Sequence, residues 1–398
     1  MKDTHAGDMD TMLAQIGRDP AAHQGMVNVP VYRTSTVIFP NREIYEKRLS
    51  LGDKAIRYGR LGTPTTYAFE DAVARLEGGF RAAAAPNGLA AMVAVLLALS
   101  GPGKHLLVSD AVYGPVRKFC QRRLIPAGVD VEFYDPLIGG GIEALFREQT
   151  CAVYCESPAS LSFEVQDLPA IGRAARARDI PVVADNTWAT PYFFAPFEHG
   201  VDISVHAATK YIGGHSDVML GVVVANERWW PAVRDVIDEY GYSVSPDDCF
   251  LALRGLRTLG VRLRQQMQNA LEVAAWLEER PEVQTVIYPA LPSHPQHHIW
   301  KRDFRGAASL FSWTMRERID EATLSAFIDS LRLFGIGSSW GGYESLVQVA
   351  HIASQRSLGQ ACTGGPTIRL HIGLESPDAL KTDLGQAFRV LSADRREA

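Results

Sequence analysis

The sequence has few cysteines, no long run of one charge and no apolar segment long enough to cross a membrane. Its five cysteines are odd in number and scattered over 398 residues, so no disulfide framework is indicated. The 40 basic and 45 acidic residues give a formal charge of -5, and this balance does not favour nucleic acid or an anionic membrane as a partner. We expect a small-molecule substrate, with no nucleic acid and no membrane.

The first eight residues are polar and contain no apolar signal core, so we expect a protein that stays in the cytoplasm. The apolar stretch from Ala82 to Leu99 is interrupted at Pro86, and each side is too short to span hydrocarbon. The histidine-rich stretch His294–His298 has no carboxylate or cysteine partner at ligand spacing. We therefore predict no metal site.

A hydrophobic content of 46% is enough for one large domain and a smaller one. Between residues 82 and 225, short apolar runs alternate with amphipathic helical patterns, which predicts a doubly wound α/β domain with a largely parallel sheet and helices on both faces. The runs are Ala82–Ala85, His105–Val108, Val129–Phe133, Cys151–Cys155, Val182–Ala184, Ile203–His206 and Leu220–Ala225. Cys151 and Cys155 are predicted to lie on one face of their strand.

After Asp247 the pattern changes to a long helical segment, Cys249–Arg280, and then to strand-like runs that alternate with helices. The strand-like runs are Val283–Tyr288, Ala308–Trp313 and Thr367–His371, and the helical patterns are Glu321–Leu331 and Pro377–Leu391. We predict a smaller C-terminal α+β domain. The predicted division is residues 1–62 for an N-terminal arm, 63–250 for the large domain and 251–398 for the small one.

Lys210 and Asp185 are the most informative pair of residues. Lys210 follows the apolar stretch Val201–Ala208 and precedes a paired glycine, so it lies where a strand leaves the core and the backbone turns. Asp185 ends an earlier apolar run. A buried lysine can form an imine with an aldehyde, and an aspartate can keep a pyridine nitrogen protonated. Each residue alone is more typical of a solvated strand end or a turn, but together they predict a pyridoxal phosphate site.

Further residues fit such a site. Asn87–Leu89 lies where a strand becomes a helix, and backbone N–H groups at such a point can bind a phosphate. Thr209 offers a hydroxyl beside Lys210. Tyr113 follows the next strand and could lay its ring against a cofactor ring. Arg369 is a charge within an apolar alternating strand and needs an anion, for which a substrate carboxylate would serve.

From about Asn28 to Leu391, the chain resembles the Cys/Met-metabolism family of pyridoxal phosphate enzymes, and within it the bacterial cystathionine β-lyase branch. The resemblance implies a fold of the aspartate aminotransferase type, with a mainly parallel seven-stranded sheet and a smaller C-terminal α+β domain. The stretches that carry the resemblance are Asp185–Ala189, Ala207–Tyr211, Gly214–Asp217, Arg254–Gly260, Trp300–Phe304 and Ser339–Ser345.

The resemblance also implies roles for single residues around the cofactor. Lys210 would carry pyridoxal phosphate in covalent linkage, Asp185 would pair with its ring nitrogen, and Tyr113 would stack on its ring. These three would form the catalytic set. The phosphate would be held by Gly88, Leu89 and Thr209.

Two residues of the N-terminal arm, Tyr58 and Arg60, would reach the phosphate of a neighbouring subunit's cofactor. The resemblance therefore implies a homo-oligomer, a tetramer built from two active dimers. Arg369 would bind the substrate's α-carboxylate. The residues implied in substrate binding are Tyr58, Tyr113, Ser339, Trp340 and Arg369.

The activity that the resemblance implies is α,β-elimination of L-cystathionine to homocysteine, pyruvate and ammonia, in transsulfuration and methionine biosynthesis. Pro115 stands where the methionine γ-lyases of the family have cysteine, which disfavours that activity. Ser338 stands where γ-specific members tend to have glutamate and cystathionine β-lyases often have tyrosine, and it leaves the preferred substrate open. The alternatives are a cystathionine γ-synthase or γ-lyase, a broader cysteine-S-conjugate β-lyase, and a non-catalytic regulator that binds the cofactor.

Overall fold

The computed structural model describes residues 8–52, 54–358 and 364–393. Its largest element is a seven-stranded sheet in the order β1-β7-β6-β5-β4-β2-β3. The strands are β1 (Arg81–Ala85), β2 (His105–Ser109), β3 (Asp130–Tyr134), β4 (Thr150–Glu156), β5 (Val182–Asp185), β6 (Ile203–Ala207) and β7 (Gly221–Ala225). β7 is antiparallel to both of its neighbours, β1 and β6, whereas the other pairs are parallel. The predicted α/β class is confirmed, and every run predicted as one of its strands lies in this sheet.

Helices cover both faces of the sheet, because its strands are apolar on both sides. In β5, Val182 and Ala184 pack into one apolar core, whereas Val183 packs into a second core on the opposite face. The helices up to this sheet's last strand are α1 (Met9–Gln15), α2 (Arg42–Glu46), α3 (Pro64–Glu77), α4 (Gly88–Leu99), α5 (Gly114–Phe119), α6 (Leu168–Arg176) and α7 (Thr190–Phe193). α4 is apolar throughout, which suits its position between the sheet and helix α8 (Trp230–Glu239).

The prediction that Cys151 and Cys155 share a face of β4 is wrong. His105 pairs with Thr150 and the next residue, Leu106, pairs with Ala152, so Cys151 is an extra residue in the register. Such a bulge reverses the alternation of side chains. Cys155 therefore packs into the first core, whereas Cys151 lies against the second.

A second sheet of five strands, in the order β10-β11-β12-β9-β8, follows in the C-terminal part. Its strands are β8 (Val283–Ile287), β9 (Leu310–Met315), β10 (Gly335–Ile336), β11 (Leu346–Val349) and β12 (Thr367–His371). Three of them were expected, and β10 and β11 were missed because they are too short to show a period in the sequence. The accompanying helices are α9 (Pro246–Arg257), α10 (Leu259–Glu278), α11 (His297–Asp303), α12 (Glu321–Asp329) and α13 (Pro377–Ala393).

The helical segment predicted over 249–280 is two helices rather than one, because Thr258 leaves helical geometry between α9 and α10. The predicted domain boundary at 250/251 falls inside α9, and the division of the chain into domains stays a prediction. Over the described ranges, no helix has both the length and the apolar character needed to cross a bilayer.

Candidate active site

One cavity of about 380 Å³ opens where β4, β5 and β6 end at the same edge of the large sheet. The carboxyl ends of parallel strands are where ligands bind in open α/β sheets. Nine of the eleven residues predicted for the site line this cavity: Gly88, Leu89, Tyr113, Asp185, Thr209, Lys210, Ser339, Trp340 and Arg369. Positions separated by up to 281 residues in the sequence, from Gly88 to Arg369, are thus brought together.

Lys210 lies in the turn that follows β6, where its N–H donates to the Ala207 carbonyl at 3.0 Å. Its Nζ donates to Ser339 Oγ and lies 5.2 Å from the centroid of the Trp340 ring. Burial, with a further contribution from the Arg369 guanidinium, lowers the pKa of Lys210 to about 8, while Asp185 opposes this change. The amine is therefore far more available as a nucleophile or base near neutral pH than an ordinary lysine.

Asp185, at the end of β5, is only 7% exposed. Its Oδ1 accepts hydrogen bonds from the backbone N–H of Thr187 at 2.9 Å and from the Thr187 hydroxyl at 2.5 Å. Burial raises the pKa of Asp185, whereas these two hydrogen bonds act in the opposite direction. Oδ2 makes no hydrogen bond to the described residues, so this largely buried side chain keeps an acceptor for a ligand donor.

Glu156 also belongs to the site, although the sequence analysis did not select it. It ends β4, pairs with Asp185 across the parallel ladder and lines the same cavity. Its Oε2 accepts the Tyr113 backbone N–H at 2.6 Å. Burial, followed by the charge of Asp185, raises the pKa of Glu156 well above its usual range. Like Asp185, Glu156 is a carboxylate at the end of an apolar run, so the same sequence pattern predicts it.

Tyr113 lies at the start of α5, held there by the Glu156 contact, and is 41% exposed. Burial of its hydroxyl, followed by the nearby Glu156 and Asp185 carboxylates, raises the pKa of its phenol. Tyr113 therefore keeps its proton near neutral pH and can donate it to a group in the cavity.

The first turn of α4 forms an anion cup at the other side of the cavity. Gly88 and Leu89 begin the helix, and the Asn87 side-chain oxygen caps it by accepting the Ala90 backbone N–H at 2.9 Å. The Gly88 and Leu89 N–H groups have no partners in the described part of the chain. A β-carbon at Gly88 would lie 2.5 Å from Ala207 Cβ, so glycine is needed for the helix to approach β6. The Thr209 hydroxyl bonds to the Leu220 backbone, donating at 3.2 Å and accepting at 3.0 Å.

Arg369, in β12, faces the cavity and donates to the Ser339 carbonyl at 3.1 Å. Burial lowers the pKa of Arg369 to about 10, which still leaves it cationic at neutral pH. No carboxylate among the described residues forms an ion pair with it. Ser339 has a left-handed backbone with φ of 85°, which turns the segment before Trp340 toward Lys210. A substrate carboxylate would supply the missing anion.

Tyr58 and Arg60 do not line this cavity. Both are exposed, and Arg60 donates to the Asp238 carbonyl at 2.9 Å. Their predicted contact with a neighbouring subunit's cofactor stays a prediction.

The cavity residues fit pyridoxal phosphate: a lysine of lowered pKa, a buried aspartate with one oxygen free for a ligand, and a helix start that a β-carbon would block. The model of the Cys/Met metabolism PLP-dependent enzyme family matches residues 10–389. The chain belongs to this family, whose cofactor is pyridoxal phosphate. Together with the large sheet, the match confirms the predicted fold type and cofactor.

Similar proteins extend over almost the whole chain. A relative from Rhizobium johnstonii is 47% identical over 388 residues, which are 97% of both chains. The cystathionine beta-lyase of Salmonella typhimurium is 41% identical over 96% of this chain and 98% of its own. The crystal structure of metB from Corynebacterium glutamicum has a TM-score of 0.89 at 28% identity, and the match covers 97% of this chain and 99% of that one.

Proposed function

We propose that the protein is a pyridoxal phosphate-dependent carbon–sulfur lyase that converts L-cystathionine to homocysteine, pyruvate and ammonia by α,β-elimination. The observation that carries the proposal is the placement of Lys210, with its lowered pKa, in one cavity with Asp185 and Arg369. The similarity to the Salmonella enzyme over nearly the full length supports cystathionine as the substrate.

The bound cofactor would supply an aldehyde for the substrate amine and a ring that withdraws electrons from Cα. Asp185 would hold a proton at the ring nitrogen, while Gly88 and Leu89 would bind the phosphate. Arg369 binds the α-carboxylate and so orients the Cα–H bond. Lys210 Nζ removes the Cα proton, and Ser339 positions this amine. Tyr113, which retains its phenolic proton, can protonate the sulfur that leaves Cβ.

Incubation with L-cystathionine and identification of the keto acid test this proposal directly. Pyruvate is the product of β-elimination, whereas 2-oxobutyrate would indicate γ-elimination and would assign the chain to a different branch of the family. S-alkyl cysteines serve as a second substrate class, because a broader S-conjugate lyase would cleave them as fast as cystathionine. Absence of any keto acid from cofactor-loaded protein would refute catalysis and favour a cofactor-binding regulator.

The assembly belongs to the same proposal: a tetramer of active dimers in which Tyr58 and Arg60 complete the neighbouring subunit's site. The N-terminal arm leaves large apolar side chains uncovered in a single chain. Ile38 is 91% exposed and Leu49 is 72% exposed, which a second copy would cover. We include in the proposal a cytoplasmic location and the division at residues 62/63 and 250/251.

Subunit mixing tests the shared site. Lys210→Ala and Arg60→Ala should each be inactive, but mixed dimers would contain one site with both residues intact. Random exchange makes about half of the dimers mixed, and one of their two sites works, so activity should return to about a quarter of wild type. If mass spectrometry confirms exchange and no activity returns, Arg60 does not act across the interface.

A further inference from the structure

Gln355 lies at the outer part of the cavity, on the segment between β11 and β12. The segment is largely at the surface, since Ala353, Ser354 and Ser357 are exposed, whereas Gln355 is half-buried and lines the cavity. A β-carbon on Gly114 would lie 2.9 Å from Gln355 Oε1. The amide therefore rests against the start of α5, directly after Tyr113. It makes no hydrogen bond to the described residues, so both its donor and its acceptor are available to a ligand.

Two contacts fix the segment immediately beyond Gln355. Fully buried Asp110 accepts the backbone N–H groups of Ser357 at 2.9 Å and of Leu358 at 3.0 Å. Arg117 pairs with Asp110 and donates to the Ser357 hydroxyl at 2.7 Å.

Arg356 forms the second contact, with Glu164 and the Ser162 hydroxyl, which belong to the segment after β4 that also carries the lining residue Leu161. The Arg356 and Glu164 side chains are only 10% and 13% exposed. Ion pairs this well buried hold their partners in one geometry when their hydrogen bonds are made. The position of Gln355 at the mouth is thus set by contacts on the three residues that follow it.

The charges that line the cavity belong to its inner part. In the described part of the chain they are Glu156, Asp185, Lys210 and Arg369. Asp185, Lys210 and Arg369 have a place in the proposed binding of the cofactor or of the α-amino acid group, and Glu156 accepts the Tyr113 backbone N–H. Apart from the groups at the cofactor cup and at the ends of β5 and β6, the remaining polar lining side chains are uncharged. They are Tyr113, Ser160, Ser338, Ser339, Trp340, Gln348 and Gln355. Among the groups that this chain itself supplies, a substrate part that extends to the mouth therefore meets uncharged ones.

We infer that Gln355 is a specificity-determining residue that binds the distal amino acid group of the substrate, the end that leaves with the sulfur. This inference rests on the proposed function. A distal zwitterion presents an ammonium donor and a carboxylate acceptor, and a primary amide can complement either with one oxygen and one NH₂ group. No net charge is needed at the mouth for a group whose own charges cancel.

The test compares L-cystathionine with S-propyl-L-cysteine, which has the same carbon–sulfur bond and chain length but lacks the distal ammonium and carboxylate. Gln355→Leu should lower the ratio of kcat/KM for cystathionine to that for S-propylcysteine by about 10- to 100-fold, the worth of one hydrogen bond to a charged group. The loss should appear mainly in KM, because the contact is the same in the ground and transition states.

Gln348→Leu is the matched control, since Gln348 lines the same cavity but pairs with Arg369 in the β11–β12 ladder. Gln348→Leu should change kcat/KM for both substrates by the same factor. Gly114→Ala is a second variant that displaces the Gln355 amide without removing it, and it too should lower the ratio. Binding of non-cleavable analogues with CH₂ in place of sulfur, followed by Trp340 and Trp188 fluorescence, gives a readout independent of turnover.

The outcomes separate the inference from the function on which it rests. Suppose that wild type releases pyruvate from both substrates, but that the ratio of their kcat/KM values in Gln355→Leu stays within twofold of wild type. Gln355 then does not bind the distal group, and only this inference fails. An equal fall of the ratio in Gln348→Leu would also overturn it, because the effect would then be general to the cavity. If wild type cleaves neither substrate, the proposed function itself fails.

Discussion

Cofactor-free protein should combine with a pyridoxal aldehyde faster as the pH rises through about 8, because only the neutral Lys210 amine attacks the aldehyde. Burial and Arg369 lower the pKa of this amine from 10.5 to about 8. At pH 7 about a tenth of such an amine is neutral, compared with about three in ten thousand for an ordinary lysine. The structure therefore predicts roughly 300-fold more reactive amine at this pH.

The assay is stopped-flow absorbance after mixing cofactor-free protein with pyridoxal, which lacks the phosphate whose own ionisation would distort the profile. Two variants should shift the midpoint of the pH–rate profile in opposite directions. Arg369→Met removes a cation that disfavours the charged amine, so the pKa of Lys210 and the midpoint should rise. Asp185→Asn removes an anion that favours the charged amine, so both should fall.

Opposite shifts distinguish electrostatics from a general loosening of the site, which would raise the midpoint in both variants by admitting water. A wild-type midpoint near 10 would refute the lowered pKa of Lys210. Shifts of the same sign in the two variants would refute the assigned roles of Arg369 and Asp185.

Three further predictions concern the cofactor site. Borohydride reduction of the loaded protein should fix the cofactor on Lys210, and peptide mapping to another lysine would refute this assignment. Asp185→Asn should retain part of its cofactor affinity but lose at least about a hundredfold in kcat, because the ring nitrogen loses its charge partner. Near-normal turnover in this variant would mean that Asp185 has only a structural role. Gly88→Ala should weaken cofactor binding, as measured by equilibrium dialysis, and lower the free energy of unfolding by about 1–3 kcal/mol through its clash with Ala207. Gly101→Ala is the control, because a β-carbon at Gly101, beyond the other end of α4, would meet no atom within 4 Å. It should change neither property.

The sequence was sufficient to predict the strands of the large sheet and nine residues that line one cavity, and the strands and the Asp185–Lys210 pair have local signals. Each of these strands is a short apolar run next to a turn, and Asp185 and Lys210 stand where such runs end. The carboxyl ends of neighbouring parallel strands meet, so residues 25 positions apart could be paired. Glu156 has the same signal at the end of β4 and could have been predicted in the same way.

Other features have no local signal. Gln355 reaches the cavity because Asp110, about 250 positions earlier, holds the segment beside it, and no spacing in the sequence shows this contact. The bulge at Cys151 depends on how β4 pairs with β2, and a single strand's pattern does not contain its partner's register. Thr258 ends one helix and precedes another, but it lies in a continuous helical pattern without proline.

The last prediction concerns how one negative charge is divided between Glu156 and Asp185, which end adjacent strands. Burial raises the pKa of both carboxyl groups, and the charge of Asp185 raises that of Glu156 further, so ionising both would be costly. Asp185 accepts two hydrogen bonds from Thr187, whereas Glu156 accepts one from Tyr113. We therefore expect the charge to lie on Asp185 and the proton on Glu156. Glu156→Gln, which mimics the protonated acid, should cost turnover far less than Asp185→Asn, as measured by kcat at pH 7 to 8. Equal losses in the two variants would show that the site needs both charges.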